Sequence, residues 1–74
     1  MATFVAEIEG QDLRLTLDGN PYKPFDIEVY PIYGRDDADR WLEANGYRDD
    51  GRDWRKVADS KPSIWMRVVI HDDH

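Results

Sequence analysis

The chain has 74 residues, so it holds one domain at most. It contains no cysteine, which excludes disulfide bonds and thiolate zinc sites. Its 16 acidic and 10 basic side chains give a formal net charge of −6, which argues against direct binding to a nucleic-acid backbone and favours a basic protein partner. The N-terminus lacks the pattern of a secretory signal, and no apolar run is long enough to span a membrane, so we expect a cytoplasmic protein.

The first predicted elements are two strands that form a hairpin. Apolar and polar residues alternate over residues 4–9 and again over residues 13–18, which is the period of a half-buried strand. Between them, Gly10 and Gln11 are typical of a two-residue turn. This turn sets a register in which all the apolar residues point to one side: Ile8 opposite Leu13, Ala6 opposite Leu15 and Phe4 opposite Leu17.

A third strand is predicted over residues 25–30. The preceding Asp18-Gly19-Asn20-Pro21 is typical of a turn, and Pro21 and Pro24 exclude a central strand in that segment. Alternation resumes after Pro24, with Phe25, Ile27 and Val29 predicted to face the core and Asp26 and Glu28 to face away from it.

A helix is predicted to begin near Asp36. Asp36 is expected to be the N-cap, with Asp39 completing a capping box. Gly46 is typical of the position that follows a helix end, and Tyr47 is expected to pack back on the helix. The inward face is expected to carry the residues at i, i+3, i+4 and i+7, which are Ala38, Trp41, Leu42 and Asn45.

The C-terminal third is predicted to form a second hairpin and a last strand. The hairpin covers residues 47–57, with its turn at Asp50-Gly51. After a loop at residues 59–62, residues 64–70 form the most apolar strand, which we expect to lie centrally or beneath the helix. The whole is a single α+β domain over residues 1–74, with an antiparallel or mixed sheet, one helix packed on one face, and the order β-β-β-α-β-β-β.

One helix can cover only one sheet face, so the other face is the candidate binding surface. Residues 1–34 hold six acids and two bases, whereas residues 35–74 hold ten acids and eight bases. A solvated strand face and a surface that docks on a basic partner both explain this concentration of acids. If Ile64 and Met66 face the core, Trp65 faces outward and can anchor a partner. The predicted partner-binding residues are Glu7, Glu9, Asp26, Glu28, Tyr30 and Trp65.

We expect no catalytic residue, metal or cofactor. The chain lacks a glycine-rich phosphate loop and a Ser or Cys beside a His, and acids on an open strand face provide no cleft for an acid/base pair. The acidic clusters at residues 36–39 and 49–53 lack the spacing of a calcium loop. The terminal His71-Asp72-Asp73-His74 is expected to be a solvated tail.

The segment from Ala38 to Tyr47, followed by a turn and Trp54, resembles a helix-then-hairpin arrangement found in small bacterial and phage proteins. The short, acidic, cysteine-free α+β chain is similar to phage-encoded inhibitors of the anti-CRISPR type. That resemblance implies an inhibitor of a host defence complex, acting in the host cytoplasm through an acidic nucleic-acid mimic. The alternative is a small structural or assembly subunit that oligomerises through a sheet edge or an exposed aromatic face; of the oligomeric states we favour a monomer.

Overall fold

The computed structural model describes residues 1–17 and 26–72. Within these residues the chain forms one helix and a six-stranded antiparallel sheet, so the α+β class is confirmed. The predicted turn at residues 18–21 and the inward position of Phe25 lie outside the described residues. The elements in chain order are β1 (Ala2–Glu9), β2 (Asp12–Leu17), β3 (Ile27–Val29), α1 (Arg35–Ala44), β4 (Tyr47–Asp49), β5 (Arg55–Lys56) and β6 (Ile64–His71).

The strands lie side by side in the order β3-β2-β1-β6-β4, and β5 also pairs with β6. The predicted register of the first hairpin is confirmed, with Phe4 opposite Leu17 and Ile8 opposite Leu13. A shift of one residue would have turned the apolar side chains of one strand to the opposite face, so burial fixes this register. The apolar β6 pairs on both of its edges, which confirms its predicted interior position.

The predicted second hairpin is wrong. β4 and β5 do not pair with each other; they lie end to end along the same edge of β6, with Tyr47 opposite His71 and Lys56 opposite Trp65. The five residues between them, 50–54, bulge out of the ladder, and Trp54 at the end of the bulge is buried. In a hairpin only one of the two strands could have paired with β6, whereas the observed pairing places both along its edge and also buries an indole.

The helix begins at Arg35, and its N-cap lies two residues earlier than predicted. Gly34 is the N-cap and makes no side-chain cap bond. Asp37, not Asp39, binds the backbone that precedes the helix: its carboxylate accepts a hydrogen bond from the Tyr33 N–H at 3.0 Å. The predicted helix end is confirmed: Asn45 is the C-cap, and Gly46 has a positive φ of 87°.

The core lies between the sheet and the layer formed by α1, the bulge and residues 30–34. Ala38 and Leu42 are buried as predicted, and Trp41 is partly buried, but Asn45 is exposed. Ile32 closes the core beside the first turn, where its N–H donates to the Gln11 carbonyl at 2.8 Å. The buried apolar residues are Phe4, Ala6, Ile8, Leu13, Leu15, Ile32, Ala38, Leu42, Tyr47, Trp54 and Val69.

Candidate binding surface on the open face of the sheet

The orientation of the β6 side chains determines which residues lie on each side of the sheet. Trp65 lies opposite Ile8 and Val69 lies opposite Phe4, so both are on the helix side. The expectation that Trp65 faces away from the core is therefore wrong. Trp65 packs against the core, and the Arg35 guanidinium lies 4.0 Å above its ring. The alternation of residues could not predict which side of β6 is buried, because the strand is apolar on both sides.

The opposite side of the sheet, here called the open face, is not covered by α1. Strand alternation and the observed register assign its members, since directly paired residues share a face. The open face comprises Thr3, Val5, Glu7 and Glu9 on β1, Asp12, Arg14 and Thr16 on β2, Glu28 on β3, Ile64, Met66, Val68 and Ile70 on β6, Arg48 on β4 and Arg55 on β5.

Acidic side chains occupy the β1–β3 part of this face, here called the acidic half: Glu7, Glu9, Asp12 and Glu28. Arg14 lies among them. Its guanidinium contacts the Glu9 carboxylate at 3.1 Å and the Asp12 carboxylate at 3.5 Å. The register also places Arg14 between Glu7 and Glu28. With four carboxylates around one guanidinium, the acidic half keeps a formal charge of −3.

An apolar strip adjoins the acidic half along β1 and β6. Val5, Met66, Val68 and Ile70 are half-buried, so each keeps part of its side chain open to solvent. Val5, Met66 and Val68 also line a small depression of about 40 Å³. The prediction of an acidic face on the first three strands did not include this strip, because Met66 had been expected to face the core.

Two arginines form the far margin of the open face, beyond the apolar strip. Arg55 on β5 is exposed. Arg48 on β4 is bound by both oxygens of Asp72, at 3.0 and 3.1 Å. This hydrogen bonding raises the pKa of Arg48 and lowers the pKa of Asp72. Across the sheet the open face therefore changes from acidic, through apolar, to a margin where Asp72 neutralises Arg48 and Arg55 supplies the positive charge.

The remaining predicted partner-binding residues lie at the edge of the face. Asp26 is exposed just before β3, and its carboxylate accepts a hydrogen bond from the Leu17 N–H at 2.6 Å. This bond gives Asp26 a local structural task. Tyr30 follows β3 and is 68% exposed, and Tyr33, which the sequence did not single out, is 72% exposed. Glu7, Glu9 and Glu28 are thus brought together on one face, whereas Trp65 is on the other.

On the helix side, sequence reasoning missed Arg67, whose side chain is 13% exposed. Nη1 donates to Asp39 at 2.9 Å, and Nε and Nη2 both donate to the Arg52 carbonyl, at 3.1 and 2.9 Å. Trp54 Nε1 donates to the same Asp39 oxygen at 2.9 Å. These bonds join the bulge to α1. The only available signal was a single charge within the most apolar strand.

Arg67 also lines a cleft of about 440 Å³ between α1 and β4. Leu42, Tyr47 and Val69 contribute apolar walls, and Asp39, Glu43, Arg48 and Asp49 are its other polar lining residues. Burial raises the pKa of the Tyr47 phenol. The Arg67 and Asp39 side chains that line this cleft are hydrogen-bonded to each other, so their role is to stabilise the fold rather than to bind a ligand.

The described ranges, residues 1–17 and 26–72, contain no group of three His, Asp or Glu side chains that could hold a metal ion. They also contain no helix of the length and apolarity needed to cross a membrane. Comparisons with protein-family models, with curated proteins and with solved structures found no match to this chain.

Proposed function

We propose that this protein is a non-catalytic binding protein that docks through its open face on a basic protein, such as a nucleic-acid-binding protein. The observation that carries the proposal is the acidic half lying directly beside the apolar strip. Protein interfaces combine an apolar centre that excludes water with a polar rim that sets partner choice. The open face offers both on one surface.

The charge arrangement favours a basic partner. Neighbouring strands are about 4.8 Å apart, so each carboxylate of the acidic half lies within about one screening length, ~8 Å at physiological salt, of the nearest other carboxylate. Their fields therefore add at the surface. Such a field raises the association rate with a basic partner and weakens as salt is added.

The resemblance to phage-encoded inhibitors extends this proposal. In this extended proposal, the acidic half occupies a basic groove that otherwise holds a phosphate backbone. The protein thereby blocks a host defence complex in the cytoplasm. Glu7, Glu9 and Glu28 supply the charge, and Asp26 and Tyr30 lie at the edge of the contact. Glu28 and Tyr30 are exposed on or just beyond the edge strand β3, where a partner can reach them.

The test compares two double charge reversals. Glu7→Lys with Glu28→Lys changes the open face, and Asp36→Lys with Glu43→Lys changes the net charge equally on the helix. The control substitutions affect opposite ends of α1, so their helix-dipole effects oppose each other. Immobilised protein is incubated with bacterial lysate at low and high salt, and bound proteins are identified by mass spectrometry.

We expect one basic protein to bind the wild type and the helix variant at low salt, but not the open-face variant. High salt should release it. Circular dichroism on both variants shows whether the fold is kept. Retention by the open-face variant, or capture that is insensitive to salt, would contradict the proposal.

A further inference from the structure

We propose that, in the absence of its partner, the open face is occupied by a second copy of this chain in a two-fold, sheet-on-sheet dimer. The inference rests on the proposed function only in that both use the open face. A basic partner and a second copy then compete for the same surface, so self-association regulates access to it.

One row of residues on the open face crosses the whole sheet. The register pairs Glu28 with Arg14, Arg14 with Glu7, Glu7 with Met66, and Met66 with Arg55. Because neighbouring strands are about 4.8 Å apart, the two ends of the row, Glu28 and Arg55, are about 19 Å apart. Glu7 lies midway between them. The row thus has opposite charges at equal distances from its centre.

A two-fold axis along β1, parallel to the strands, makes this row complementary to itself. The rotation places Glu28 of each copy opposite Arg55 of the other, which gives two ion pairs. Arg14 comes to lie opposite Met66 of the other copy, where its aliphatic stem can cover apolar surface. Aligned sheets cross at about 30°, which displaces the end pairs by about 5 Å along the strands. Glutamate and arginine side chains are long enough to span that displacement.

The axis also brings two carboxylates of β1, Glu7 and Glu9, each close to the same residue of the second copy. Both contacts oppose the dimer, because like charges repel at short range. The Glu7 carboxylate is also expected to attract a basic partner. Substituting Glu7 therefore has opposite consequences for the two binding events, which makes it the most informative position in the row.

The size of the face predicts a weak dimer. β1 and β6 have eight residues each, which corresponds to a length of about 26 Å. With a width of about 19 Å and shorter outer strands, each copy covers at most about 500 Å², and the two together at most about 1,000 Å², below the ~1,200 Å² lower bound of stable specific interfaces. The apolar strip supplies the centre of this contact. A dimer of this size forms and separates readily, so a partner can displace the second copy.

Sedimentation velocity across the micromolar range tests the dimer, with purified protein at low salt. The wild type should shift from monomer to dimer as concentration rises. Glu28→Lys alone and Arg55→Glu alone should each weaken the dimer by about tenfold or more, because each change turns both ion pairs into like-charge contacts. Combining them should restore most of the affinity, since the pairs are re-formed with reversed polarity. Glu7→Gln should tighten the dimer.

A wild type that remains monomeric throughout, or a double reversal that fails to restore association, would overturn the dimer. Thermal unfolding of each variant separates lost association from lost folding. The two proposals can fail separately. A monomer that still captures a basic protein in a salt-dependent way removes the dimer alone, and a dimer whose open face captures no basic protein removes the proposed function alone.

Discussion

Replacing Arg67 with methionine should destabilise the fold strongly, although the new side chain is apolar and of similar length. The Arg67 side chain is 13% exposed, and its guanidinium donates three hydrogen bonds, one to Asp39 and two to the Arg52 carbonyl. The change leaves that carbonyl without these donors and removes the counter-charge of Asp39. It also removes the cation that lies 5.8 Å from the Trp54 ring.

The magnitude follows from the two groups that lose their partner. The Arg52 carbonyl is exposed, so losing its two charged donors costs about 1–2 kcal/mol, toward the lower end for hydrogen bonds to charged groups. The Asp39 side chain is 40% exposed, so solvent screening limits its share to roughly 1 kcal/mol or less. We expect a total loss of about 2–3 kcal/mol, a large part of the ~4–11 kcal/mol typical of a domain of this length. At about 4–8 °C per kcal/mol, the melting temperature should fall by roughly 10–20 °C.

Urea unfolding followed by tryptophan fluorescence measures this loss, and thermal circular dichroism checks it. The matched control is Arg40→Met, on the outer face of α1, where the side chain is 77% exposed and lies 3.6 Å from Asp37. That control should change stability by no more than about 0.5 kcal/mol. Equal effects of the two substitutions would refute the assignment of Arg67 as the link between the bulge and the helix.

Three further outcomes are expected. Gly46→Ala should cost more stability in urea than Gly10→Ala: both glycines have positive φ, but a Cβ at Gly46 would also lie 3.1 Å from an imidazole nitrogen of β6. Trp54→Phe should keep the burial but lose the indole hydrogen bond to the helix carboxylate, at a cost of about 1 kcal/mol by the same assay. The pKa of Asp72 is lowered, chiefly by its hydrogen bond from Arg48. The pair therefore stabilises the fold fully at pH values above the ordinary aspartate pKa of about 3.9. This contribution is lost as the pH falls through the lowered pKa of the folded state. When the free energy of unfolding is measured by urea titration at a series of acidic pH values, Asp72→Asn should therefore lose less stability between neutral and acidic pH than the wild type. An equal loss in the two proteins would contradict this reasoning.

The first hairpin could be predicted because its information is local. A two-residue turn and strict alternation leave a single register that buries Phe4, Ala6 and Ile8 together with their partners. The helix end was predictable for the same reason, since Gly46 supplies a backbone conformation that other residues adopt only at a cost. In both cases the residues that determine the structure are close in sequence.

The pairing of β4 and β5 with β6, and the orientation of the β6 side chains, depend on contacts between residues that are distant in sequence. Asp50-Gly51 does form a turn, in which the Gly51 N–H donates to Asp49 at 2.8 Å, but the strands on either side pair with β6 instead of each other. Periodicity also cannot orient a strand with apolar residues on both faces. For this reason Trp65 was assigned to the wrong side, and the apolar strip of the candidate site was missed.

The central claim is that the open face is the binding surface, and methyl NMR tests it most directly. Protein with labelled methionine, valine, isoleucine and leucine methyl groups is titrated with the basic protein captured at low salt. The methyl signals of Val5, Met66, Val68 and Ile70 should shift or broaden, while those of the buried Leu13 and Leu42 stay in place. Changes confined to Leu42 and its neighbours on the helix side, with the four open-face residues unaffected, would contradict that claim.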